Sequence, residues 1–163
     1  MSEPAQDDAR ELLNEFGAQP GDGHARTIRA QWDRDILPPI RAALMEDLQA
    51  RGMSEEIIDE AEIVVTELVT NALRHGSPLP DRCVRVHWKV RGEVCEVEVS
   101  DGGGHTAPKP VPPALWATSG RGLRIVRSLA HEWGVSEDEK RITVWASLGG
   151  PSRRRVGRRP TAP

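Results

Sequence analysis

The sequence has no tyrosine and a single phenylalanine, so its aromatic content rests on five tryptophans. It has only two cysteines, Cys83 and Cys95. They are too few for a disulfide framework and show no metal-ligand spacing, so both read as structural thiols. No run approaches the ~18 apolar residues of a membrane span. The N-terminus is acidic and lacks an apolar stretch, so no secretion signal is read there and the expected location is the cytoplasm. A strong charge bias is also missing: the net charge of −3 gives no global electrostatic reason to bind nucleic acid.

What remains is the composition of a folded domain. The chain has 163 residues, 37% hydrophobic and 29% charged, enough for one domain with a real core. Charge is placed unevenly. Residues 1–22 hold six acids (Glu3, Asp7, Asp8, Glu11, Glu15, Asp22) against one arginine, and residues 149–163 hold five arginines and no acid. Both ends are rich in small residues, glycine and proline. The expected division is an acidic tail without order over 1–23, a domain over 24–148 and an Arg-rich tail over 149–163. The Arg tail suits solubility, or contact with nucleic acid or an acidic partner.

Residues 25–32 read as a first, edge-like strand. Ile36, Ile40, Ala43, Leu44, Asp47 and Leu48 keep helical spacing, which predicts a helix over 33–51 with Pro38-Pro39 near its start and Gly52 as its stop. A second helix begins after Ser54, a good N-cap followed by Glu55-Glu56 at the positive end of the dipole. Ile57, Ala61, Val64, Val65, Leu68 and Ala72 make its apolar stripe, and Gly76-Ser77-Pro78 end it. A hairpin follows, its turn read at Arg91-Gly92. That register opposes Val84, Val86 and Trp88 to Val99, Val97 and Cys95 on one face, with Arg85–Glu98 and His87–Glu96 on the other. Residues 105–118 form a proline-rich loop. A glycine-rich turn, a helix to about Ala130, a strand and a last strand over 141–148 complete the chain. The expected class is α+β, a two-layer α/β sandwich with a mostly antiparallel sheet.

Three segments carry small or polar residues that packing alone does not require. Glu67 and Asn71 lie one turn apart at the edge of the apolar stripe. A carboxylate there can deprotonate a hydroxyl and an amide oxygen can ligate Mg²⁺; the pair equally suits two solvated polar residues. Asp101-Gly102-Gly103-Gly104 stands at a strand end. Its Asp can accept from an exocyclic amine and its glycines allow close approach to a flat ligand, although Asp-Gly is also an ordinary turn. Gly120-Arg121-Gly122-Leu123 opens a helix, which suits an anion as well as a simple capping turn.

The order and spacing of the three resemble the GHKL (Bergerat) ATP-binding fold of histidine kinases and Hsp90-like ATPases. Within it they resemble the anti-sigma factor serine kinases of bacterial partner switching. "ELVTNALRHG" is similar to the N box, "VSDGGG" to the first glycine box, "GRGLRIV" to the second, and "TVW" to the last strand, over residues 25–148. The resemblance implies ATP and Mg²⁺ as cofactors. It implies Glu67 as the general base, Asn71 as the Mg²⁺ ligand, and Asp101 as the acceptor for the adenine amine. Gly103 and Gly104 would shape the pocket, with Gly120, Arg121, Gly122 and Leu123 at the phosphates. Thr143 would help hold adenine, and His75 is a further candidate for nucleotide contact or for helix termination. His105 departs from the pattern, standing where a glycine is common. The partners implied are an anti-anti-sigma (STAS-type) protein as phosphorylation substrate and a sigma factor to be sequestered, with homodimerisation frequent in the family. Two other functions stay open: a non-catalytic, ATP-gated binding protein, and a histidine kinase catalytic fragment.

Overall fold

The computed structural model of the chain describes residues 13–16, 25–104 and 121–150. Its elements run β1 (Leu13–Phe16), β2 (Ala25–Gln31), α1 (Leu37–Ala50), α2 (Glu55–His75), β3 (Cys83–Arg91), β4 (Val94–Asp101), α3 (Arg121–Leu129), β5 (Glu132–Asp138) and β6 (Arg141–Gly149). The strands form one antiparallel sheet in the order β1-β2-β3-β4-β6-β5. The helices share one hydrophobic core with one face of that sheet, the two-layer α+β sandwich expected. The proline-rich loop over 105–118, Gly120 and residues 151–163 of the Arg-rich tail lie outside the described residues; Gly149, expected in that tail, is the last residue of β6.

Local chemistry sets the helix boundaries. The two prolines stand in the first turn of α1, where no intrahelical N–H is needed. At its other end Gly52 takes φ +73. The Gly52 N–H donates to the Gln49 carbonyl and the Met53 N–H to that of Leu48, a Schellman closure that only a residue free of a Cβ adopts without strain. Helix α2 starts at Ser54, whose hydroxyl accepts from the Ile57 N–H at 3.3 Å. It ends at Gly76, whose N–H reaches the Ala72 carbonyl at 2.8 Å.

The sheet differs from the expectation in three places. First, β2 is not an edge: β1 pairs along it, Leu13 opposite Ala30 and Phe16 opposite Thr27, in a segment expected to be a tail without order. Four residues of edge pairing need only backbone groups, which hydrophobic periodicity does not report. Second, the β3–β4 hairpin turns at Gly92-Glu93. Gly92, at φ +57, occupies the first central position of the turn, where a II′-type hairpin places glycine; an Arg91-Gly92 turn would have demanded a positive φ of arginine. The register therefore moves by two. Val86, Trp88 and Val90 oppose Val99, Val97 and Cys95, and His87 and Lys89 oppose Glu98 and Glu96. A shift of two leaves every side chain on its expected face. The Arg85–Glu98 ion pair survives as a diagonal contact at 3.6 Å, and Lys89, rather than His87, meets Glu96, at 3.4 Å. Third, Cys95 lies opposite Val90, not Trp88. Both cysteines are buried and free.

Trp88 anchors the layers. It is fully buried, its indole N–H donates to Asp47 Oδ2 at 2.7 Å, and the Arg26 guanidinium lies 5.6 Å from its ring. Asp47 also accepts from Arg51 Nε at 2.6 Å, so one carboxylate ties α1 to itself and to β3. This is why an acid stands within the apolar spacing of α1.

Candidate nucleotide site

Helix α2 buries ten residues, and Asn71 is among them at 7% exposure. Glu67, one turn earlier, is half-buried. The helix thus delivers an amide and a carboxylate to the rim of the core, side by side. His75, at the last position of α2, is exposed.

The C-terminal end of α2 abuts the end of β4. Asp101 is the last residue of β4 and only 2% exposed. Its Oδ1 accepts from the Gly103 N–H at 2.6 Å, and the Ser77 N–H also donates to it. Burial pushes its carboxyl up to about 6; the two backbone hydrogen bonds act in the opposite direction and offset only part of this. A carboxylate held by fixed dipoles in a dry place is a demanding arrangement, and three neighbours are shaped to it. A Cβ on Gly76 would stand 2.5 Å from the Asp101 carboxyl carbon. A Cβ on Gly102 would overlap the Pro78 carbonyl oxygen, while the Gly102 N–H donates to the Ser77 carbonyl at 2.7 Å. Ser77, also buried, donates its hydroxyl to the Gly103 carbonyl at 2.6 Å. Gly103 takes φ +86, the left-handed region that glycine tolerates, and faces the side chain of Ile142.

The structure sets the C-terminal end of α2, at His75 and Gly76, against Asp101 and Gly104, with Asn71 one turn and Glu67 two turns further back along the same helix. Leu123 is 1% exposed in the core, so what it offers an anion is its backbone N–H in the first turn of α3. Arg121 and Gly122 open that helix, as expected. Thr143 does not join the site. It sits opposite Ser100 with the two hydroxyls 2.8 Å apart, on the sheet face turned away from the helices. The partner of Asp101 across the strands is Ile142, which shares its face. Three residues of the site were missed in the sequence: Ile142, Ser77 and Gly76 as a wall against the carboxylate. For Ile142 the signal was present, because Ile142, Val144, Ala146 and Leu148 alternate and place Thr143 on the other side.

The donor set fits a nucleotide. Asp101 supplies a buried acceptor suited to an exocyclic amine, Gly103 is buried over Ile142 with exposed Gly104 after it, and Asn71 adds a buried amide on α2. No group of three or more metal-ligating side chains occurs among the described residues. No helix among the described residues is long and apolar enough to cross a membrane.

The family model described as the histidine kinase-like ATPase domain matches residues 31–148, and the chain belongs to that family. A search of curated proteins finds no match. Among solved structures, the chain is similar to the crystal structure of the RsbU and RsbW domains of Rv1364c from Mycobacterium tuberculosis, with a TM-score of 0.59 and 20% identity. The match covers 76% of this chain and 32% of that one, a likeness of fold over about a third of the larger protein.

Proposed function

We propose that this chain is an ATP- and Mg²⁺-dependent protein serine/threonine kinase of a partner-switching pathway, which phosphorylates an anti-anti-sigma (STAS-type) protein and sequesters a sigma factor in the cytoplasm. The observation that carries the reading is the buried, backbone-held Asp101 set against the C-terminal end of α2, the helix that also bears Glu67 and Asn71. The family match and the likeness to a structure that includes an RsbW domain support it.

When bound, Mg²⁺-ATP supplies the phosphoryl group and the charge that neutralises its oxygens. The chain's own residues do the rest. Asp101 accepts from the adenine amine and so fixes the base. Asn71 holds the metal through its amide oxygen. The unpaired N–H groups in the first turn of α3 receive phosphate oxygens. Glu67 takes the proton of the attacking hydroxyl. The half-buried setting of Glu67 leaves it reachable by a side chain from another protein.

Calorimetry with ATP-Mg²⁺ tests the site. Binding should be lost in Asp101→Ala and become less dependent on magnesium in Asn71→Ala. Transfer of the γ-phosphoryl to a serine of the cognate partner, abolished in Glu67→Ala, tests the kinase. ATP-dependent partner affinity without transfer would instead establish a nucleotide-gated binder. No ATP binding by the folded protein would overturn both.

A further inference from the structure

Ser77 is the first residue beyond the Gly76 cap of α2, and it is buried at 6% exposure. All of its polar groups are engaged, and they meet three successive residues at the end of β4. Its N–H donates to the Asp101 carboxylate. Its carbonyl accepts from the Gly102 N–H at 2.7 Å. Its hydroxyl donates to the Gly103 carbonyl at 2.6 Å. A serine at a helix end can also turn back onto the carbonyls of its own helix. Here it reaches across to a segment 26 residues further along the chain.

That segment needs an outside support. Three glycines follow Asp101, and such a run has little stiffness of its own. Gly103 has φ +86, and a Cβ built on it would meet only the Ile142 side chain, at 3.5 Å. Its peptide groups are oriented by two hydrogen bonds: its N–H gives to Asp101 Oδ1 at 2.6 Å, and its carbonyl takes from Ser77. The direction of the carboxylate and the direction of Gly103 are therefore one variable, and the Ser77 hydroxyl sets it. Without that hydroxyl the buried Gly103 carbonyl would lose its donor, and the glycine turn would be free to swing with the carboxylate attached.

We infer that Ser77 is a positioning residue for base recognition, clamping the 101–103 turn to the end of α2 so that the Asp101 carboxylate is aimed at the exocyclic amine of the base. The inference rests on the nucleotide site proposed above. Because Ser77 follows α2 directly, the clamp also ties the base-reading carboxylate to the helix that bears Asn71 and Glu67.

The test compares two nucleotides by calorimetry with Mg²⁺: ATP, and purine riboside 5′-triphosphate, which lacks only the amine. Wild type should prefer ATP. In Ser77→Ala of the full chain that preference should shrink about tenfold, through weaker ATP binding at nearly constant affinity for the amine-free nucleotide. Ser77→Cys, close in shape and a weak donor, should fall between the two, and it carries the test if the alanine variant does not fold. A merely structural role would weaken both nucleotides alike. Equal losses, or an unchanged preference in the variants, would overturn the role of Ser77 and leave the site reading standing. A folded wild type that binds neither nucleotide, or both equally, would overturn the reading of Asp101 and this inference with it.

Discussion

The two faces of one sheet handle polar groups in opposite ways. On the inner face, under the helices, they are few, and two are held by fixed partners: Asp101 on backbone N–H groups, and Trp88 on Asp47. On the outer face they are many and half-buried, and they pair side chain to side chain: Thr27 with His87 at 2.6 Å, Ser100 with Thr143, Lys89 with Glu96. Backbone partners cannot rearrange without unfolding, so the inner face suits a ligand that must be gripped in one pose. Side-chain partners can exchange, so the outer face is the more adaptable of the two.

The largest expected difference between the faces is in packing. Trp88→Ala should cost about 3–5 kcal/mol in urea unfolding, because it empties the core and leaves the Asp47 carboxylate with Arg51 but without its indole donor. Trp145→Ala, on the outer face over Gly134, should cost about 1–2 kcal/mol. Equal losses would mean the outer face is a second core.

Asp101 sharpens the contrast electrostatically. Its carboxyl is raised from 3.8 to about 6 in the fold, so the folded state holds this proton more tightly than the unfolded chain. Between those two values the folded state binds more protons, and stability falls as pH rises through the window. Asp101→Asn removes that slope and should leave the variant up to about 3 kcal/mol more stable than wild type at pH 7. Unfolding at pH 4.5 and 7.5 checks this, and parallel profiles would contradict it. The same variant should bind ATP more weakly, a case of stability given up for function.

Smaller effects follow. Gly102→Ala should cost about 1–3 kcal/mol and reduce ATP affinity, since its Cβ meets the Pro78 carbonyl, whereas Gly104→Ala, whose Cβ would make only an ordinary 3.7 Å contact with the His75 carbonyl oxygen, should stay within about 0.5 kcal/mol. At the bottom of the range, a double-mutant cycle on Lys89 and Glu96 should return less than about 1 kcal/mol.

Helix α2 was legible from Ser54 to Gly76, because cap, stripe and stop agree with one another and with the fold. The same helix placed Glu67 and Asn71 at the rim of the core. The hairpin faces were legible because alternation survives a shift of two, but its register was not. Whether Gly92 is the first or the second central residue of a turn depends on backbone angles that composition does not encode. Thr143 was assigned from the likeness of a three-residue motif, and alternation along β6, had it been given precedence, would have set it on the far face. Ser77 could not be found by pattern. Its role arises only where α2 meets β4, two elements brought together by the fold.

β5 closes the sheet at the margin opposite β1. Along it, Glu132, Glu137 and Asp138 are exposed, with Glu139 following in the turn. A second molecule offering the same strand antiparallel would have to lay acid beside acid at both ends of it. At neutral pH this repulsion discourages copies of the domain from zipping into ribbons through that border.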